Sequence, residues 1–285
     1  MAGTSTTMAT PSTAGTGTTL TLLTYNLNDH AVSDNSPADW SMGKQHAALR
    51  ALILAEQPDL LCLQECFTFP NSLTEHYDFY GPTPSHRGDC WVATRKGGPV
   101  QADGPPTSAG PCVLLPVRLG SRRLVAACAH LAPFAGNGLK RARQVEAIVA
   151  AASRLAASPS LEEAQPGPEA GPGVGPEAVG ALQAPLVLAG DMNMREDETS
   201  VAAENGLTDA WVELGCPKEH RFTWNTMINH YYYDGKQYTA RYDRVLLGPG
   251  LAPVQMRLVG HTPCSEVTRH FLSDHFGLAV QLRLD

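Results

Sequence analysis

Short apolar runs in this chain repeatedly end on a carboxylate, an amide or an imidazole: Leu-Thr-Tyr-Asn26, Leu-Gln-Glu65, Ala-His130 and Gly-Asp191-Met-Asn193. Others begin on one, with Asp243 ahead of Arg-Val-Leu-Leu247 and Asp274-His275 ahead of Phe-Gly-Leu278. A strand that buries its middle and presents polar groups at its end builds a site on rigid elements. So many polar ends on one chain argue for a sheet-based fold with one shared cleft.

With 285 residues and 43% hydrophobic side chains, the chain can bury a sizeable core, as one large domain or two small ones. No apolar stretch reaches the ~18–20 residues of a membrane span, so a soluble protein without a membrane partner is expected. A net charge of −7 disfavours a broad electrostatic footprint on nucleic acid but leaves room for a local basic groove. The 7 cysteines form no C-x-x-C pair and are odd in number, which points to free thiols in a reducing compartment. An intracellular address, nucleus or cytoplasm, is therefore expected.

Residues 1–19 are mostly Thr, Ser, Ala and Gly without a charged side chain, and read as a disordered leader; organelle targeting stays open. The Pro/Gly-rich stretch at about 158–184 cannot bury enough apolar surface to order itself. It reads as a surface insertion within one domain spanning 20–285.

Strands are expected at Leu20–Tyr25, Leu60–Gln64, Cys90–Thr94, Val113–Arg118, Leu124–His130, Leu186–Ala189, Tyr242–Leu247 and Leu278–Arg283, and helices at Lys44–Glu56 and Leu139–Ala157. The layered solution is an α/β fold: a four-layered α/β/β/α sandwich of two packed mixed sheets with outer helices.

The polar ends carry the chemistry. Glu65 closes an apolar strand, where a bare charge is costly and a divalent cation such as Mg²⁺ would make it favourable; an Arg partner is the bland alternative. Asp191 can take a proton from water while the Asn193 amide holds a phosphate oxygen or orients that water, although Gly-Asp-x-Asn is also a turn signal. His275 can stabilise charge on a phosphoryl group if a carboxylate keeps it protonated. Asp243 is the candidate partner and Asp274 the other, though neighbouring side chains on a strand face opposite ways. His130 has a similar placement.

In order, Thr-Tyr-Asn26, Gln64-Glu65, His130, Gly-Asp191-x-Asn193, Tyr-Asp243-Arg and Ser-Asp274-His275 resemble the endonuclease/exonuclease/phosphatase superfamily of metal-dependent phosphoesterases. Within it, Asp191-Met-Asn-Met-Arg195, Leu207-Thr-Asp-Ala-Trp211, Gly215 to Trp224 and Arg241-Tyr-Asp243-Arg resemble the tyrosyl-DNA phosphodiesterases, which remove a tyrosine left on a DNA 5′ end. The resemblance implies that Glu65 binds Mg²⁺ and that Asn26 supports the metal and phosphate. It implies that Asp191, helped by Asn193, positions and deprotonates the attacking water. His275, oriented by Asp243, and His130 would stabilise the phosphorane-like charge, and Arg195 would contact phosphate. Mn²⁺ suits such oxygen ligands too.

On the same resemblance Trp224 lines a single-strand channel, with Tyr232, Arg241 and Tyr242 among the substrate-binding candidates. The tyrosine-rich stretch after Trp224 sits between Asn229-His230 and Asp234-Gly235-Lys236, a setting that favours an exposed loop. The implied partner is single-stranded or end-frayed DNA carrying a 5′-phosphotyrosyl adduct, acted on by a monomer. Departures surround the cleft: Met192 replaces a small polar residue, Leu-Ala-Pro follows His130 where an acid and a serine are usual, and Gly97–Gly110 is Pro/Gly-rich. They bear on substrate preference more than on reaction type. A sphingomyelinase-like phosphoesterase of lipid or soluble phosphates, and a silent binding protein on the same fold, are the alternatives.

Overall fold

The computed structural model describes residues 18–29, 40–66, 71–81, 89–159, 184–231, 237–264 and 270–285. The expected leader and Pro/Gly insertion lie outside the described residues except at their edges, where Thr18 and Thr19 already belong to the first strand.

In chain order the elements begin with β1 (Thr18–Asn26), α1 (Met42–Glu56), β2 (Leu60–Gln64), β3 (Tyr77–Tyr80), β4 (Trp91–Arg95), β5 (Val100–Ala102), β6 (Thr107–Ala109), β7 (Cys112–Leu119), β8 (Arg122–His130) and α2 (Gly138–Ala157). They continue with β9 (Leu186–Asp191), α3 (Ser200–Glu204), β10 (Thr208–Asp209), α4 (Ala210–Glu213), β11 (Trp224–Asn225), β12 (Thr239–Ala240), β13 (Asp243–Leu247), β14 (Leu251–Val259) and β15 (Gly277–Leu284). One sheet has the order β14-β15-β1-β2-β4-β3 and the other β10-β13-β9-β8-β7-β5, with β6 beside β7. The parallel pairs β1–β2 and β8–β9 are each joined through a helix, α1 and α2, because parallel strands need a crossover.

The core lies in three slabs, which makes the expected four layers. Leu20, Leu22 and Cys62 of one sheet meet Leu115, Ala126, Cys128, Val187 and Val245 of the other. Leu49 and Ile53 of α1 cover the outer residues Leu23, Tyr25, Leu61 and Leu63. Val145, Ile148 and Val149 of α2 cover Leu114, Val125, Ala127 and Leu188. Ser41 caps α1 by accepting from the Lys44 amide, and Gln57 ends it in the left-handed region ahead of Pro58. Among the described residues no helix is long and apolar enough to cross a membrane. Cys62, Cys66, Cys90, Cys112 and Cys128 are buried, Cys216 and Cys264 are exposed, and none of them is in a disulfide.

The sheet layout brings the polar ends together. Strand ends of β1, β2, β8 and β9 and strand starts of the antiparallel β13 and β15 all fall at one edge. Alternation then sends Asn26, His130, Asp191 and Asp243 to the same side as Leu22, Cys128, Ala189 and Val245, into the gap between the sheets. Register aligns them further, since His130 and Asp243 are both Cα partners of Asp191.

Strand β14 went unpredicted. Its burial alternates poorly, and a register irregularity falls between Pro253 and Gln255, as suits an edge strand. The Pro/Gly-rich stretch after Gly97 does contain short strands, β5 and β6, both laid on β7.

Candidate active site

Asp191 Oδ2 is the focus of the cleft. The Nε2 atoms of His130 and His275 lie 3.7 Å and 3.8 Å from it, and the Asn26 amide nitrogen donates to it at 3.2 Å. The same Asn26 nitrogen donates to Glu65 Oε1 at 3.0 Å, while Asn26 Oδ1 accepts from the Asn28 backbone at 3.0 Å, which fixes the amide's orientation. Glu65 and Asn193 both sit in the left-handed region, at φ 48° and 49°. Such conformations cost energy and persist where the surroundings over-determine them, as at ligand sites.

Each imidazole has its own carboxylate. His275 Nδ1 pairs with Asp243 Oδ2 at 2.8 Å, as anticipated. His130 Nδ1 pairs with Asp89 Oδ2 at 2.7 Å, a partner the sequence reading missed. Asp89 precedes a short apolar strand, the same signal that singled out Asp243. Burial opposes the charged imidazolium at both histidines. The carboxylates outweigh it, Asp243 raising His275 to about 10 and Asp89, with Asp191, raising His130 to about 9. Both rings are therefore cationic at neutral pH. Burial lifts the Asp191 carboxyl above its ordinary range although both histidines pull it down, which moves it towards the basicity a proton acceptor needs.

Asp274 is buried and its pKa is raised by that burial. It accepts from Ser273 Oγ at 3.1 Å rather than pairing with its neighbour's Nδ1, as the alternation of side chains requires. Asn193 donates its backbone N–H to Asp191 Oδ1 at 2.9 Å and its amide to the Leu131 carbonyl at 3.1 Å. Its donors therefore hold Asp191 and the loop after His130.

Aromatic rings flank the His275 side. Trp224 meets His275 edge-on at 4.9 Å between centroids and lies 6.0 Å from Tyr242. Arg195 donates to the Tyr242 hydroxyl and stacks over that ring at 4.7 Å. Arg241, expected to touch substrate, is instead buried, ion-paired to Asp209 at 2.6 Å and stacked on Trp211 at 4.7 Å. Arg241 lies ahead of β13, where β10 and α4 bring Asp209 and Trp211 against it. Tyr232 lies outside the described residues. Asn229, expected in an exposed loop, is buried and donates to the Ser273 carbonyl at 2.8 Å.

Glu65, His130 and Asp191 cluster with their polar atoms within 4.8 Å of one another. With His130 protonated, the two carboxylates are the donors, and oxygen donors suit a hard divalent cation. Two carboxylates share one amide donor, and Glu65 keeps 26% of its side chain open.

Fold and geometry define a two-sheet α/β protein whose acid and imidazole side chains converge at one edge of the sandwich. The Endonuclease/Exonuclease/phosphatase family matches residues 23–275, and the chain belongs to that family. Among its relatives, tyrosyl-DNA phosphodiesterase 2 of Bos taurus is 31% identical over 108 residues, 35% of this chain and 29% of that protein. The Homo sapiens protein of that name is 25% identical over 175 residues, 58% of this chain and 40% of its own. These matches thus span well under half the length of either relative. In fold, the crystal structure of D. rerio TDP2 complexed with single strand DNA product aligns with a TM-score of 0.68 at 18% identity, covering 93% of this chain and 98% of that one. The human Nocturnin catalytic domain with bound sulfate anion aligns with a TM-score of 0.63 at 16% identity, covering 94% of both chains.

Proposed function

We propose that this protein is a divalent-cation-dependent phosphodiesterase that hydrolyses 5′-phosphotyrosyl bonds at the ends of single-stranded or frayed DNA, in DNA repair. One observation carries the reaction type: a buried carboxylate oxygen, Asp191 Oδ2, faces two imidazole Nε2 atoms at 3.7 Å and 3.8 Å. Phosphoryl transfer asks mainly for positioning and for neutralising charge on the transferring oxygens. The two imidazolium groups supply that charge from either side of Asp191. Asp191, oriented through its second oxygen by the Asn193 backbone, is placed to take the proton of an attacking water.

Glu65, with Asn26 steering its Oε1 atom, would hold Mg²⁺ or Mn²⁺. A cation bound there would supply Lewis-acid stabilisation of phosphoryl oxygens. The substrate reading rests on the named relatives and on the rings beside His275. A tyrosyl phenolate, with a parent pKa of roughly 10, leaves with little acid assistance. Stacking on Trp224 and Tyr242 would tolerate any base.

The test is an oligonucleotide bearing a 5′-phosphotyrosine, incubated with the protein in Mg²⁺ and in chelator. Release of a 5′-phosphate end in Mg²⁺ alone is expected. Cleavage of a generic aryl phosphodiester without cleavage of the oligonucleotide would keep the chemistry and discard the substrate.

A further inference from the structure

Phe134 is a large apolar side chain left 74% exposed, in a backbone conformation, φ 70°, that non-glycine residues rarely adopt. The loop that carries it is held from every direction. Where it leaves His130, the Leu131 amide donates to the Asp191 carbonyl and the Leu131 carbonyl accepts from Asn193. Further along, the fully buried Arg141 donates to the carbonyls of Ala132 and Phe134 at 2.7 Å and 2.8 Å. Its guanidinium is clamped in turn by both oxygens of Glu198 at 2.7 Å and 2.5 Å. A fold that merely needed a loop here would turn such a ring inward or place a glycine at this position. The ring instead stands in solvent on a tethered backbone, four residues beyond a histidine of the cleft.

The helix that follows supplies a second observation. Its first turns hold the exposed Lys140 and Arg143 and no acid, and its N-cap makes no side-chain hydrogen bond. Glu198 answers Arg141 at this end of the helix, which leaves Lys140 and Arg143 as exposed cations open to an anionic partner. A ring beside cations fits the base-and-phosphate chemistry of a nucleic acid strand. Strand order gives it a side: β13 and β8 flank β9, so Phe134 follows β8 while Tyr242 precedes β13, with Asp191 between.

We propose that Phe134 is a substrate-positioning residue, a stacking platform for a base of the single strand on the β8 side of Asp191, with Lys140 and Arg143 beside the backbone phosphates. This rests on the nucleic-acid reading of the site proposed above.

The experiment compares the full chain with Phe134→Ala, Phe134→Trp and Phe134→Leu, on a 5′-phosphotyrosyl oligonucleotide and on a mononucleotide aryl ester too short to reach the platform. Phe134→Ala should raise KM for the oligonucleotide at least about fivefold, the low end for losing a stacking aromatic. Its kcat, and both constants for the mononucleotide, should stay within about twofold. Phe134→Trp should bind as the wild type and Phe134→Leu as the alanine variant. Unchanged oligonucleotide KM, an equal rise for the short ester, or full rescue by leucine would overturn the proposal. Fluorescence anisotropy of a plain 5′-phosphorylated single strand separates its failure from that of the proposed function. With no hydrolysis by any variant, weaker binding by Phe134→Ala still supports the platform, and equal binding overturns it. Loss of binding to anionic vesicles with oligonucleotide binding unchanged would assign the surface to lipid and overturn it too.

Discussion

As the proposed base, Asp191 combines two demands that oppose each other. A base must hold its proton affinity near neutrality, which burial favours, yet a buried carboxylate between sheets needs compensating charge, which His130 and His275 provide. The expected outcome is that Asp191→Asn lowers kcat by roughly 100- to 10,000-fold, the range for removing a general base. His275→Asn and Glu65→Gln should each depress turnover to a similar extent while circular dichroism and Tm report an intact fold. Activity surviving all three substitutions would refute the site. Asp89 acts through His130 and touches no reacting atom in this geometry, so Asp89→Asn should cost less, about tenfold in kcat with KM nearly unchanged, and Asp89→Glu should recover part of it. Steady-state kinetics on the phosphotyrosyl oligonucleotide separates these outcomes.

At the scale of elements, the cleft depends on how closely β8 and β9 run. Gly190 sits at φ 139°, and a Cβ there would lie 2.0 Å from the Ala129 carbonyl oxygen. Gly190→Ala therefore forces the parallel pair apart next to His130 and Asp191, and the variant should be recovered unfolded or with its Tm lowered by many degrees. The loop between β8 and α2 depends on Arg141 and Glu198. Glu198→Gln leaves a buried guanidinium without its counter-charge, a loss of about 3 kcal/mol by the measure of broken buried pairs. Burial would raise the Glu198 carboxyl, but the hydrogen bonds and charge of Arg141 hold it below its ordinary value. A depressed carboxyl contributes stability that is complete above its unfolded value of ~4.3 and fades as pH falls through the folded one. The Tm gap between wild type and Glu198→Gln should thus be full at neutral pH and close below about pH 4.

At the scale of the molecule, two sheets face each other with their polar ends at a common edge, and that edge gathers acids from both. Like charges brought together this way destabilise the fold, and a bound cation would relieve them. Mg²⁺ should raise the Tm of the wild-type protein, by the equivalent of about 2.7 kcal/mol at a hundredfold excess over Kd, and Glu65→Gln should lose that increment. Scanning calorimetry with and without chelator reads it independently of turnover. A Tm indifferent to Mg²⁺ would remove the cation from Glu65.

Much of this was legible in one dimension because strand ends and alternation are local properties. Leu60–Gln64 came out of the sequence with its observed bounds, and Asn26, Glu65, His130, Asp191, Asp243 and His275 were marked by the runs they end or begin. Family resemblance joined those marks into one site. What stayed hidden depended on partners distant in sequence. Arg241 reads as a substrate contact until the fold sets Asp209 and Trp211 against it. Asp89 goes unmarked in the sequence until β8 brings His130 Nδ1 to within 2.7 Å of it. By itself the sequence determined which side chains could do chemistry and which face of each strand they would share, since these follow from period and composition. Only the tertiary structure decided which carboxylate serves which imidazole and which cation is spent on structure, because those pairings are set by sheet order and register across the whole chain.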